Sequence, residues 1–354
     1  LQHRRPILKD LLPHEVRALV SSWGMPPYRA QQLMGWMYRR CARTFDEMTD
    51  ISKADRERLG QEAGIGHLEI VRRQRADDGT EKWLLGLEDG PGVETVIIPE
   101  AEWWTQCIST QVGCAMGCGF CRTGQSGLRR QLSTWEIVDQ LVAVRRSFEG
   151  GRVRNAVLMG MGEPLANYDA VVRAVRLMLE PWGLDLSKRR VTLSTCGLVP
   201  ELERFASEGL GVSLAVSLNA TTDEVRSRLM PVNRRYPIGV LLAACRRLPL
   251  LPRQRITFEY ILFEGVNDGV EDARRLVRLL RGIPAKVNLI PHNRWEGSPF
   301  RPPSEGKLLA FQQTLRDAHM TAPIRRSRGA EIAAACGQLA GGTDPPPQGG
   351  HSQP

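Results

Sequence analysis

No stretch of this 354-residue chain approaches 18 consecutive apolar residues, so no membrane-spanning helix is expected. The start, Leu1-Gln2-His3-Arg4-Arg5, lacks the apolar run of a secretory signal. Both absences predict a cytoplasmic protein with no membrane partner. No short internal repeat is apparent. Eight cysteines are present, but they are not spread out as in a small disulfide-stapled domain. Three of them, Cys114, Cys118 and Cys121, crowd into eight residues.

Enough apolar residue is present, 42%, to bury a sizeable core in one large or two ordinary domains. The net charge of +9 favours a polyanionic partner such as RNA, because neutralised phosphates release counterions. A generic basic enzyme from an Arg-rich proteome would look the same, and Arg outnumbers Lys here.

Residues 1–66 read as a helical module. Val16, Leu19, Val20 and Trp23 recur at helical spacing over 13–23, and Gly24 supplies a stop. A second helix is expected from Pro27 to Cys41 and a third over 52–63. Residues 67–75, 81–88 and 93–99, separated by Asp-Asp-Gly and Glu-Asp-Gly turns, read as a β-meander. The segment 67–100 is then a linker to a main domain over 101–340.

That domain alternates expected strands (105–111, 154–161, 190–195, 212–218, 256–263, 286–290) with amphipathic helices (134–148, 168–179, 200–207, 238–248, 271–280, 304–318). Six strand–helix units predict an α/β fold, a parallel sheet or partial barrel. Active residues should lie at the strand C-terminal ends. The Gly- and Pro-rich tail over 341–354 is expected to be disordered.

The triplet has the spacing C-x3-C-x2-C directly after the first strand of the main domain. Thiolates are natural ligands of iron–sulfur clusters, and four normally complete a 4Fe–4S cube. With three, one iron stays open to a small chelating molecule, and the amino and carboxylate groups of S-adenosylmethionine (SAM) suit that role. A zinc site would want a fourth Cys or His at characteristic spacing. A ferredoxin would want a fourth local Cys. The spacing, Phe120 and the α/β context resemble the radical-SAM superfamily.

Gly160-Met-Gly-Glu-Pro164 follows the second strand. A glycine-lined turn ending in a carboxylate can receive the SAM ammonium group; it resembles the superfamily's "GGE" element, and a plain strand–helix turn is the structural alternative. Ser194 closes the third strand, Ser217-Leu218-Asn219 the fourth, and Asn293 follows the sixth.

Longer segments carry a narrower resemblance: Val93-Glu-Thr-Val-Ile-Ile-Pro-Glu100, Cys107-Ile-Ser-Thr-Gln-Val-Gly-Cys114, Leu193-Ser-Thr-Cys-Gly197, Ala215-Val-Ser-Leu-Asn219, Phe258-Glu-Tyr-Ile-Leu262, Val287-Asn-Leu-Ile-Pro-His-Asn293 and Ala335-Cys-Gly-Gln-Leu339. Over about 10–340 the chain resembles the RlmN/Cfr family of radical-SAM RNA adenosine methyltransferases, its RlmN side most closely. The paired Cys107 and Cys336 are the most specific feature.

The resemblance implies a 4Fe–4S cluster on Cys114, Cys118 and Cys121, and two SAM molecules per turnover. It implies SAM contacts at Gly162, Glu163, Ser194, Ser217, Leu218, Asn219 and Asn293. Cys336 is then the methyl-accepting cysteine, Cys107 its resolving partner and Glu94 the proton acceptor. Cys196 and Cys245 are left as packing residues. A thiolate is the competent species for taking a methyl from one SAM. A radical from the second then activates that methyl for addition to an electron-poor adenine carbon. Attack of Cys107 on the Cys336 sulfur releases the RNA and leaves a disulfide for cytosolic reduction.

The implied partners are 23S rRNA at the peptidyl-transferase centre, tRNA at the anticodon stem-loop, and an electron donor such as flavodoxin or ferredoxin, with the enzyme a monomer. Basic clusters at 188–190, 234–235, 246–247 and 325–326, with Arg122, Arg129 and Arg130, read as phosphate contacts or solvated faces. The helical module is expected to help grip RNA. The close rival is a Cfr-type enzyme acting at C8 of the same base, and no single residue discriminates. A non-catalytic iron–sulfur RNA-binding protein would leave Cys107 and Cys336 without a purpose.

Overall fold

The computed structural model describes residues 5–341; the opening residues 1–4 and the tail over 342–354, expected to be disordered, lie outside the described residues. Three helices open the chain: α1 (Pro13–Ser22), α2 (Arg29–Met34) and α3 (Lys53–Glu62). Pro13 starts α1, where its missing N–H costs nothing. The single helix expected over 27–41 is in fact α2 running into a π-type turn at Gly35–Arg39.

The strands β1 (Glu69–Arg75), β2 (Glu81–Gly86) and β3 (Gly92–Pro99) form the meander. It does more than link, because β3 hydrogen-bonds antiparallel to β4 (Trp104–Cys107) and so continues the main sheet. The strand expected over 105–111 stops at Cys107. Beyond it the Ser109 amide turns to Gln140 Oε1 at 2.9 Å and the Ser109 hydroxyl to the Glu94 carbonyl at 2.6 Å.

Sequence reading missed what comes next, a short hairpin of β5 (Gln111–Gly113) and β6 (Leu128–Gln131) enclosing the cysteine loop and the one-turn α4 (Arg122–Gln125). Then follow α5 (Thr134–Ser147), β7 (Val153–Leu158), α6 (Tyr168–Leu179), β8 (Val191–Thr195), α7 (Val199–Ser207) and β9 (Ser213–Ser217). The chain continues through α8 (Asp223–Leu229), also unforeseen, α9 (Ile238–Arg247), β10 (Ile256–Leu262), α10 (Val270–Leu280), β11 (Ala285–Pro291) and α11 (Glu305–Asp317).

One nine-stranded sheet results, in the order β1-β2-β3-β4-β7-β8-β9-β10-β11. From β4 to β11 all pairs are parallel, which gives the six-stranded partial barrel expected from the alternation. Parallel strands are covered on both faces; accordingly Leu193, Val216, Phe258 and Leu289 are fully buried. The crossover helices supply apolar stripes such as Ala273, Leu276 and Leu280 on α10. The helical module is tied to the barrel by Lys9, 1% exposed, whose Nζ meets Asp139 Oδ1 of α5 at 2.5 Å.

Candidate active site

Two cavities open at the C-terminal ends of the parallel strands and share a wall. The smaller, about 160 Å³, is lined by Cys114, Cys118 and Cys121 together with Gly162, Glu163, Ser194 and Ser217. The larger, about 450 Å³, holds Cys107, Asn293 and the run from Arg325 to Arg328. Cys121, Met159, Arg325 and Cys336 line both.

The cysteine loop is pinned by the β5–β6 hairpin. Gly113 has φ +79°, and a Cβ there would fall 1.9 Å from the Gly127 carbonyl oxygen. Only glycine fits so close a backbone approach. The Cys114 amide donates to that carbonyl at 2.9 Å. Burial pushes the Cys114 thiol up to about 12 and raises Cys118 and Cys121, with neighbouring thiols adding to each shift. Three crowded thiols whose surroundings hold them protonated ionise readily only beside a cationic metal group, so the donor set fits an iron–sulfur cluster. Cys196 also lines the smaller cavity.

Glu163 lies at the end of the Gly160–Pro164 turn, where Gly162 has φ +102° and packs its backbone on Gln111. Its carboxylate is 4% exposed and accepts the amides of Leu165 at 3.0 Å and Cys196 at 2.7 Å. Burial raises its pKa, while those amides lower it. Ser194 and Ser217 face the same cavity from β8 and β9. Leu218 and Asn219 are buried outside either cavity's lining, and the Asn219 Oδ1 is occupied by the Ile261 amide at 2.9 Å.

Cys336 comes from the far end of the chain and is stitched to the cysteine loop. The Arg122 amide donates to the Gly337 carbonyl at 2.8 Å, and the Thr123 hydroxyl to the Leu339 carbonyl at 2.6 Å. Asn293 Nδ2 donates to the Cys336 carbonyl at 3.0 Å. Cys107 is buried, its thiol pushed up to about 12 first by burial and then by Cys336; the Arg325 charge opposes this.

Glu94 stands apart from both linings. Its Oε1 meets Lys82 Nζ at 3.0 Å, and its Oε2 accepts the amides of Ala340 at 2.8 Å and Gly341 at 3.2 Å. It therefore clasps the segment that carries Cys336.

Several contributors escaped the sequence reading. Arg325, half of a basic pair that the sequence offers as a phosphate contact or a solvated face, lies in the wall between the cavities, whereas Arg326 is exposed and pairs with Glu305. Arg130 is also committed elsewhere, clamped between Asp89 and Glu136. Glu259 on β10 lines the smaller cavity, with Asn288 on its Oε1 at 2.9 Å and its buried Oε2 unpartnered. Its place in the Phe258-Glu-Tyr strand pattern, a carboxylate in an apolar run, was the available signal.

Comparison with known proteins agrees with this geometry. Residues 108–280 match the radical SAM superfamily, and residues 8–65 match the ribosomal RNA large subunit methyltransferase N-terminal domain. The dual-specificity RNA methyltransferase RlmN of Pelobacter propionicus is 52% identical over 95% of this chain and 96% of its own length. That of Geobacter sulfurreducens is 52% identical over 95% of this chain and 92% of its own. The crystal structure of a radical SAM methyltransferase from Sphaerobacter thermophilus superposes with a TM-score of 0.90 at 46% identity, covering 94% of this chain and 99% of that one. The chain belongs to the RlmN family of radical-SAM methyltransferases. It is accordingly a SAM-dependent RNA methyltransferase that uses a 4Fe–4S cluster. Among its described residues no helix is long and apolar enough to cross a membrane.

Proposed function

We propose that this enzyme methylates C2 of an adenosine in 23S rRNA, at the peptidyl-transferase centre, and of an adenosine in the anticodon stem-loop of tRNAs. One observation carries the reading: Cys336 sits in the wall between the three-cysteine cavity and the cavity that holds Cys107. A group carried on Cys336 is thus accessible from both sides. The relatives' description as dual-specificity RNA methyltransferases supports the two substrates.

Cys114, Cys118 and Cys121 would hold the cluster, with Gly162, Glu163, Ser194 and Ser217 around SAM; Leu218 and Asn219 lie behind that lining and Asn293 in the larger cavity, so their SAM contacts require the lining to move. When bound, these groups supply the methyl, the cleaving electron and the hydrogen-abstracting radical. Cys336 carries the methyl as a thioether. Cys107 then loses its proton and attacks the Cys336 sulfur; a disulfide forms, the sulfur–carbon bond breaks with its electron pair going to the methylene carbon on the adenine, and that carbon takes up a proton to become the methyl group. Arg325 favours the Cys107 thiolate at that step. Glu94 takes the proton from the adenine carbon, for which Ala340 and Gly341 must first release its Oε2. The target base has to leave its stack to enter the larger cavity. The reaction runs in the cytoplasm on a monomeric enzyme, with flavodoxin or ferredoxin as electron donor.

The test is anaerobic reconstitution with SAM, reductant and RNA, followed by mass spectrometry of the nucleosides. 2-Methyladenosine is expected in both rRNA and tRNA substrates. 8-Methyladenosine would move the activity to the Cfr type, and an intact cluster without any methylated adenosine would sink the reading.

A further inference from the structure

Most buried cations in this fold have an anion beside them. Lys9 has Asp139 and Lys82 has Glu94. Arg226 on α8 does not. It is 0% exposed, and all five of its N–H donors go to uncharged oxygens. Nε donates to the Leu218 carbonyl at 3.1 Å, and Nη2 to the carbonyls of Cys196 at 2.8 Å and Ser217 at 3.2 Å. Nη1 takes Asn233 Oδ1 at 3.0 Å and the Tyr236 carbonyl at 3.3 Å. The nearby carboxylate of Asp223 is occupied by Asn233 and the Ile238 amide.

An arginine stays protonated in a protein, and a charge buried without a counter-ion is strongly unfavourable. The surroundings show what could balance it. Cys196 follows β8, Ser217 ends β9 and Leu218 follows it, so the guanidinium fork ties together two strand ends of the smaller cavity. One turn on, the Leu229 carbonyl accepts the amide of Gly119 at 2.9 Å, and Gly119 lies between Cys118 and Cys121. The helix that carries Arg226 is thus docked on the cysteine loop itself. Burial pulls the arginine's pKa down, and Cys196, Cys118 and the Asp223 carboxylate oppose it.

We propose that Arg226 is a positioning residue of the cluster site with two separable effects. Its planar fork holds the ends of β8 and β9 in register around the SAM ligand. Its charge is balanced by the anionic, thiolate-held cluster and raises that cluster's reduction potential, since net local charge is one of the protein's levers on such potentials. The inference rests on the cluster reading above.

The test uses the full-length reconstituted holoenzyme, with a redox titration followed by electron paramagnetic resonance and calorimetric binding of S-adenosylhomocysteine. Arg226→Gln removes the charge. At a fixed potential its ratio of reduced to oxidised cluster should fall about tenfold, equivalent to about 59 mV for one electron. Arg226→Lys keeps the charge and loses the fork. Its potential should stay within about threefold of wild type by the same ratio, while S-adenosylhomocysteine affinity falls about tenfold, as expected for lost charge-assisted hydrogen bonds. Unchanged potentials in both variants, with the cluster intact, overturn the electrostatic role. Failure of both variants to fold with a cluster would reduce Arg226 to a scaffold tie and overturn it equally. A wild-type enzyme that takes up no cluster would sink the underlying reading as well.

Discussion

The two cavities are built in opposite ways. The three cysteines of the smaller cavity are local, supplied by one loop whose hairpin, β5 and β6, is closed by the Gly113–Gly127 backbone contact. The neighbouring cavity is assembled from distant pieces, Cys107 on β4 and Cys336 near the end of the described chain. Its geometry depends on hydrogen bonds that Arg122, Thr123 and Asn293 donate to the segment that bears Cys336, and on the Ala340 amide that this segment donates to Glu94. The cysteine loop keeps its three ligands together by local contacts, whereas the pairing of Cys107 with Cys336 is exposed to any substitution that frees the returning segment.

Cys118→Ala and Cys336→Ala should separate the two. Cys118→Ala removes a cluster ligand, so both 5′-deoxyadenosine formation and RNA methylation should drop by more than about 1,000-fold, the scale of losing a group the chemistry requires. Cys336→Ala should abolish methylation equally but leave cluster absorbance and SAM binding near wild type. Loss of the cluster in Cys336→Ala would show that the cavities are not independent.

The next largest effect concerns the clasp. Lys82 and Glu94 are both buried, at 7% and 3% exposure. Breaking a buried pair by removing one partner typically costs about 3–5 kcal/mol. Lys82→Met should lower the unfolding free energy of the apo protein by about that amount in denaturant titration. Lys82→Met combined with Glu94→Gln should recover part of it, because no lone charge remains buried. Equal losses in the single and double variants would mean that the ion pair does not hold the segment.

The same local–distant contrast explains what the sequence made legible. Six hydrophobic runs alternating with amphipathic helices suffice for the barrel order, because parallel strands joined through a helix take a right-handed crossover in nearly all cases. The cysteine spacing is equally readable, since one loop holds it. The hairpin around it was not, because Gln111–Gly113 and Leu128–Gln131 are three and four residues long, with no alternation to detect. Nor was α8, a seven-residue helix whose only sharp signal is its Thr222 cap. Arg226 and Arg325 look like any surface arginine in a basic chain; only tertiary burial distinguishes them. Cys107 and Cys336 were paired by family resemblance, and spacing could not have joined them.

The resolving step should carry a pH signature that the radical half lacks. Burial holds the Cys107 thiol near about 12, so at neutral pH the nucleophilic thiolate is rare. A group whose pKa is raised gains thiolate as pH rises towards that value. Release of methylated RNA in single turnover should therefore increase about tenfold per pH unit between about 7 and 9, one ionisation each unit. Formation of 5′-deoxyadenosine should not follow that slope. A plateau of RNA release near pH 8 would show that Arg325 outweighs burial at Cys107.

Asn293 offers the smallest and sharpest probe, because it touches the returning segment at the cysteine itself. Its Nδ2 donates to the Cys336 carbonyl at 3.0 Å, and Ser327 donates its hydroxyl to the Asn293 Oδ1. One such hydrogen bond is worth about 1 kcal/mol, so Asn293→Ala should slow methylation about fivefold to tenfold. The cysteine loop is reached independently through Arg122 and Thr123, so cluster content should not change. Iron and sulfide analysis beside single-turnover rates checks both halves at once. A variant that loses cluster and, with it, 5′-deoxyadenosine formation would place Asn293 with the local cavity and reverse its assignment to the assembled one.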